Sequence, residues 1–365
     1  MGGCVPEIRR IQKFGKSTLM VSLPASWVKS MKLSPGDSVA IDLMEDGTLR
    51  VVPLYMAQKK EERVLQIKVS KSSSETLLAR SIIAGYLLGV DVVIVEAMDG
   101  VLSETHLRTV RDVVKELLGA EILEHTPNKV SVQILVDPSK YSAINMLNRL
   151  VNRVKFMIQH LQIAVIDNKP YLLDEISEIE KEVDRLHALA VRQILQAQND
   201  RTLVKHLGIK ASLIPEYRGI VKGLEEAADA LSITAQILKE LESRNQLPLL
   251  THESNILKES LDYLLMTVDR IDRTFKTLDL YIANEILNMV TEYYTLIRKY
   301  DELLFRALKE KEEPKKEFDK SYVMLREFID RLIEVGRAME AVSEAVFDIS
   351  VERAGTTLDI CKVYI

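Results

Sequence analysis

Three pairs of acidic residues, Glu180 with Asp184, Glu225 with Asp229 and Glu340 with Glu344, stand four positions apart. On an α-helix that spacing points both side chains of a pair the same way. Like charges so placed repel each other unless something positive lies between or opposite them. A metal ion, a lysine or arginine, or plain water can supply that compensation. Magnesium, manganese and iron prefer several carboxylate oxygens, and adjacent helices each carrying such a pair can deliver them without bending the backbone. The simpler reading is chance: with 54 acidic residues in the chain, the spacing recurs often and usually marks a solvated face. His187 lies one turn beyond Asp184, within reach of a ligand shell, but a partly buried structural histidine is the expected reading.

The first pair needs a helix to hold it, and the sequence provides one. From Glu175 to Ala197 the apolar residues Ile176, Ile179, Val183, Leu186, Ala190 and Ile194 recur at helical spacing, so one face should be buried against neighbouring helices. Glu180, Asp184 and His187 form a strip beside it. From residue 141 onward the chain reads as almost entirely helical. A stripe from Ile144 to Val165 ends near Asn168-Lys169-Pro170, the Glu175 helix follows, an irregular connection runs from His206 to Pro215, and a third helix spans about 219–241. A second set has helices around 257–275, 286–308 and 323–352. Asp184 precedes Asp301 by 117 positions and Glu225 precedes Glu340 by 115, an agreement that predicts two three-helix copies, 141–243 and 251–353.

The 365 residues leave room for two or three domains. Aromatic residues are only 5% while aliphatics are plentiful, which favours helices packed by aliphatic side chains. The net charge of -5 excludes a polyanion binder by bulk charge, yet residues 8–32 carry six basic groups and no acidic one. Two cysteines, Cys4 and Cys361, argue against a disulfide framework or a thiolate metal site. The start MGGCVPEIRR lacks the apolar run of a secretory signal, and the most apolar window, 77–95, is interrupted by Arg80 and Asp91. No transmembrane segment and a cytoplasmic location are expected.

Residues 8–55 predict a small β unit. Strands are expected over Arg9–Gln12 and Leu19–Leu23, a short helix after Pro24, a turn at Ser34-Pro35-Gly36-Asp37, and a hairpin of Val39–Leu43 with Leu49–Val52 across Glu45-Asp46-Gly47. So short a unit buries little surface alone and calls for a partner copy. The run RRIQKFGKSTLMVSLPASWVKSMKLSPGDSVAI with DGTLRVVP resembles the AbrB/SpoVT type of swapped-hairpin DNA-binding domain, also found in MazE-type antitoxins. The resemblance implies a homodimer with interleaved hairpins, and double-stranded DNA facing Arg9, Arg10, Lys13 and Lys16. Read by themselves, those residues equally solvate a small exposed domain.

After the polar linker 56–63, residues 64–139 predict a βαβαββ middle domain, α+β in class, with a capping box at Ser72 and Glu75 and a second helix capped by Ser103. It contains no GxGxxG, Walker A run or nucleophile elbow, and its role is open. His106 and His125 are expected to be structural or exposed.

The helical half resembles the PhoU family of cytoplasmic negative regulators of phosphate-specific transport, whose three-helix repeats hold metal ions on Glu/Asp-x-x-x-Asp motifs. IEKEVDRLH carries that role to Glu180 and Asp184, and LEEAADALSITAQI to Glu225 and Asp229. MEAVSEAVFDI carries it to Glu340 and Glu344, and IRKYDELL to Asp301, where Ile297 replaces the first acid. The histidine and asparagine that usually follow in the family are replaced by Ala230 and Ile233 in one copy and by Ala345 and Asp348 in the other. The expected ion is iron, manganese, magnesium or zinc. The resemblance implies a non-catalytic regulator of phosphate uptake or signalling that contacts a phosphate transporter or sensor protein. Two alternatives are a DNA-binding repressor with a helical sensor domain and a carboxylate-metal enzyme. The enzyme is disfavoured by the missing Glu-x-x-His and by the absence of a legible nucleophile and base.

Overall fold

The computed structural model describes residues 7–43, 47–55, 62–137, 142–198, 200–247, 250, 254–310 and 316–355, with side chains outside 307–310 and 316–321. The chain divides into two compact units, Met1–Glu62 and Arg63–Ile365.

The first unit holds two separate antiparallel hairpins. Strands β1 (Gln12–Phe14) and β2 (Thr18–Met20) pair with Lys13 opposite Leu19, around a turn where Gly15 has a φ of +64°. Helix α1 (Ala25–Ser30) follows Pro24 and half-buries Trp27 and Val28. Strands β3 (Val39–Leu43) and β4 (Leu49–Pro53) pair with Ile41 opposite Val51. Residues 45 and 46 of the expected turn lie outside the described residues. The first strand begins later than expected, since Arg9 and Arg10 precede β1. Among the described residues of this unit only Pro53 is buried. Phe14, Leu19 and Ile41 are 63%, 68% and 60% exposed.

The second unit opens with a four-stranded mixed sheet. Strand β5 (Val64–Val69), helix α2 (Glu75–Leu87), strand β6 (Val92–Ala97), helix α3 (Glu104–Glu116) and strands β7 (Ala120–Thr126) and β8 (Lys129–Ile134) follow in order. The sheet runs β5-β6-β8-β7, with β5 and β6 parallel and the other pairs antiparallel. Val93, Val95, Val130 and Val132 bury one face against Leu78, Ile82, Tyr86 and Val110 of the helices. The cap of α2 is Ser74, whose hydroxyl accepts from the Leu77 amide at 3.3 Å, rather than the expected Ser72. Ser103 caps α3, and His106 is buried with Nε2 3.1 Å from the Ser73 carbonyl.

Among the described residues seven α-helices complete the unit: α4 (Ala143–Ile166), α5 (Leu172–Ala197), the short α6 (Arg201–Leu207), α7 (Ile214–Ser243), α8 (Ser254–Thr277), α9 (Leu280–Glu310) and α10 (Lys316–Ala354). The connection expected to be irregular thus contains α6, which Asp200 caps by accepting from the Leu203 amide and which Gly208 ends at a φ of +71°. Helix α5 packs on α4 and α7, and α9 packs on α8 and α10. The two sets join where α7 meets α10 and α4 meets α8, over one continuous apolar core. The α7–α10 seam is tight: a Cβ on Gly223 would stand 2.6 Å from Val342 Cγ2 and 3.1 Å from the Ala338 carbonyl oxygen.

Arg192 of α5 ties the sheet region to this core. Its Nη1 donates to the carbonyls of Tyr86 at 2.6 Å and Val90 at 2.9 Å, and its guanidinium carbon lies 5.1 Å from the centre of the Tyr86 ring. Among the described residues no helix is long and apolar enough to cross a membrane.

Candidate metal centre

Helix α5 buries Ile176, Val183, Leu186, Ala190 and Ile194 against its neighbours, as the stripe requires. Helix α7 does the same with Leu224, Ala227, Ala228 and Leu231. Because the two helices pack together, the strips beside those faces meet. Carboxylate oxygens of Glu180, Asp184 and Asp229 come within 4.8 Å of one another, with Glu180 and Asp229 half-buried and Asp184 exposed.

The electrostatics of this trio are those of like charge that Lys181 and Lys222 offset only in part. Burial first, then the carboxylates of Glu180 and Glu225, push the Asp184 carboxyl up to about 7. Burial, then Glu225 and Asp184, raise Asp229 to about 6. Glu180 is also raised, by burial and then by Asp229. Like charges gathered at a partly desolvated surface favour protonation or a bound cation. Three oxygen donors from two rigid helices are the set a hard divalent or trivalent cation takes, so the residues fit such an ion. On its Asp229 side the trio borders a groove of about 420 Å³ between α7 and α10, lined also by Ile233, Arg331 and Arg337.

Glu225 stands apart from this trio. Its Oε2 is 2.5 Å from Lys222 Nζ, and its Oε1 is 4.0 Å from His187 Nδ1. Burial lowers the His187 pKa, and its Nε2 is buried with no hydrogen-bond partner among the described residues. The Lys222 contact is the feature that sequence reasoning missed, although a lysine three positions before a glutamate on one helix face announces it.

The second set is arranged otherwise. Asp301 accepts from Arg326 Nη1 with both oxygens, at 2.7 and 2.9 Å. Glu340 accepts from the Tyr294 hydroxyl at 3.1 Å, and Glu344 is exposed. Arg326 precedes Glu340 by 14 residues in the sequence, about 21 Å along α10 at the helical rise. These three acids are therefore not gathered, and among the described residues no second cluster of three metal-ligating side chains occurs.

In the first unit Arg10, Lys13 and Lys16 are exposed and have no ion pair among the described residues. Arg9 is paired with Glu7 and lies 3.5 Å from the Ser22 hydroxyl.

The described chain holds a small β unit and a second unit of sheet and helices that carries one carboxylate cluster. Residues 12–61 match the family described as "Antidote-toxin recognition MazE, bacterial antitoxin". Residues 147–238 match the PhoU domain, a span that contains the whole carboxylate trio and none of α8 to α10. Comparison with curated proteins and with solved structures gives no match.

Proposed function

We propose that this protein is a cytoplasmic regulator of phosphate uptake or phosphate signalling whose contacts with a transporter or sensor protein depend on a bound metal ion. The observation that carries the reading is the meeting of Glu180, Asp184 and Asp229 across two helices within the PhoU-matching span. A cation there would neutralise three mutually repelling carboxylates and stiffen the α5–α7 surface, so that occupancy changes what a partner meets. Glu225, Asp301, Glu340 and Glu344 are secondary candidates, because in this arrangement Lys222, Arg326 and Tyr294 already serve the first three. The segments 8–55, 64–139, 141–243 and 251–353 act as its domains in this reading.

The first unit, of AbrB/SpoVT or MazE type, is the homodimer contact. Its exposed Phe14, Leu19 and Ile41 need cover that two short hairpins do not supply. Exposed Arg10, Lys13 and Lys16 favour a second role on double-stranded DNA, by attraction to phosphates. In that case the chain is a repressor with a helical sensor.

Elemental analysis of protein purified without a nickel column tests the metal reading. A stoichiometric ion that is lost from Glu180→Ala with Asp184→Ala supports it. Metal-free protein after incubation with iron, manganese, magnesium and zinc removes it and leaves a solvated or partner-binding face.

A further inference from the structure

Both edges of the four-stranded sheet lack a strand partner among the described residues, yet they are built differently. The β7 edge carries devices that keep an edge strand from pairing: its register with β8 shifts between Ile122 and Glu124, and it presents the acids Glu121 and Glu124. The β5 edge is plain. Its six residues, VLQIKV, pair with β6 in unbroken register and include no proline or acid. The carbonyls of Arg63 and Val69 accept from the amides of Asp91 and Met98, both at 2.8 Å, on the β6 side. Alternation along the strand then turns the amides and carbonyls of Val64, Gln66 and Lys68 outward, a row of unpaired groups that is a template for another strand. Val64 and Leu88, both more than half exposed, add apolar surface at the start of this edge, where the Leu88 carbonyl accepts from Arg63 Nη1 at 2.6 Å.

We propose that the outer edge of β5 pairs antiparallel with the same edge of a second copy of this chain, with Glu62 opposite the partner's Lys68, so that the two sheets become one. The register follows from charge. With the two-fold axis at Leu65, Val64 exchanges backbone hydrogen bonds with the partner's Gln66, and the unpaired charges of Glu62 and Lys68 meet twice. An axis at Gln66 or Ile67 sets Lys68 opposite the partner's Val64 or Gln66 and leaves both charges alone. A slip by a single residue would turn Leu65 and Ile67, which pack against the sheet core, to the wrong face. So short a pairing is weak between free chains, and it rests on the first unit being the homodimer contact. Val64 follows Pro53, the last residue of β4, by eleven positions, a reach of at most about 36–40 Å, so a dimer joined at the first unit holds the two edges at high effective concentration. Residues 64–139 thereby gain a part in assembly.

Disulfide trapping in the full chain, with Cys4→Ser and Cys361→Ser removing the native thiols, tests the pairing. Leu65 would face its own copy in a non-hydrogen-bonded position, where Cα atoms stand about 4.5 Å apart, within disulfide range. Leu65→Cys is expected to give cross-linked dimer as the main product of mild oxidation, and Ile67→Cys to stay largely uncrosslinked. Lys68→Glu slows the Leu65→Cys reaction roughly fivefold or more, and adding Glu62→Lys restores it. Leu65 packs beneath Gly85, so a second readout keeps the native sequence. The amides of Val64, Gln66 and Lys68 are expected to exchange at least about tenfold more slowly in the native dimer than in monomeric Ile41→Asp. A dimer by sedimentation in which Leu65→Cys fails to cross-link and these amides exchange fast overturns the edge pairing and leaves the first-unit contact standing. Cross-linking through Ile67→Cys instead overturns the register. A native chain that sediments as a monomer overturns both contacts. Cross-linking of Leu65→Cys that persists with Ile41→Asp retains the pairing and removes its dependence on the first unit.

Discussion

Lys222 stands 2.5 Å from Glu225, and that ion pair keeps one of four neighbouring carboxylates out of the cluster formed by the other three. Removing the lysine frees a fourth oxygen donor and deletes a cation beside the site. Lys222→Met is therefore expected to raise manganese affinity by roughly tenfold, about 1.4 kcal/mol. Calorimetric titration reads this directly, and an unchanged or weakened affinity would mean that the trio is not the ion's site.

Acidity should alter the metal-free protein in a defined direction. Asp184 and Asp229 titrate near 7 and 6 in the folded chain, against an ordinary 3.8 for aspartate. They bind their protons more tightly folded than unfolded, so they add stability as pH falls below about 7 and withdraw it as pH rises through that value. Asp184→Asn is expected to stabilise the chelator-treated protein at pH 8 by on the order of 1 kcal/mol, solvent screening limiting the gain, and to do much less at pH 4.5. Urea denaturation of both proteins at the two pH values checks it; an equal difference at both would contradict the assignment.

Two glycines of α7 should respond oppositely to alanine. A Cβ at Gly223 runs into Val342 and the Ala338 carbonyl, whereas Gly219 faces open space. Gly223→Ala is expected to cost about 1–3 kcal/mol through overpacking. Gly219→Ala should add roughly 0.5–1 kcal/mol by restricting the unfolded chain. Thermal unfolding of the pair against the native chain distinguishes a tight seam from a loose one.

Arg192 offers a test of how firmly the sheet region is held. Arg192→Met removes the side-chain donor shared by the carbonyls of Tyr86 and Val90, leaving Tyr86 only its bond from the Gly89 amide, with an expected loss of about 2–4 kcal/mol. Hydrogen exchange should quicken around α2 and the start of β6 before it changes in α8 and α9.

The first unit's exposed apolar residues make an assembly state measurable. Ile41→Asp places a charge on a side chain 60% exposed in one chain. If that side chain is covered by a second copy, sedimentation should shift from dimer to monomer while far-ultraviolet circular dichroism of the helical region is retained.

The helices and most strands were legible because their apolar periodicity is long and regular. The spans of β5 and β3 match the expected strands, and the α4 and α5 stripes are buried except at Ile144 and Ile179, which are partly so. Helix α6 was missed even though Asp200 and Gly208 mark its ends, because seven residues carry too few apolar repeats to stand out. The α2 cap was misplaced within Ser72-Ser73-Ser74, since Ser72 has the capping-box spacing to Glu75 while Ser74 makes the bond. Pairing of acids along one helix was readable at the site. What the sequence hid was competition from a basic side chain on another helix: Arg326 reaches Asp301 across the α9–α10 contact, and no local spacing reports it.

The glycine seam also has a consequence in time. Gly223 and Val342, which nearly touch, are separated by 119 positions in the sequence. At translation speeds of about 5–20 residues per second, α7 is synthesised roughly 6–24 s before the part of α10 that covers it. During that interval its greasy flank depends on α4 and α5, or on a chaperone, for shelter from neighbouring nascent chains.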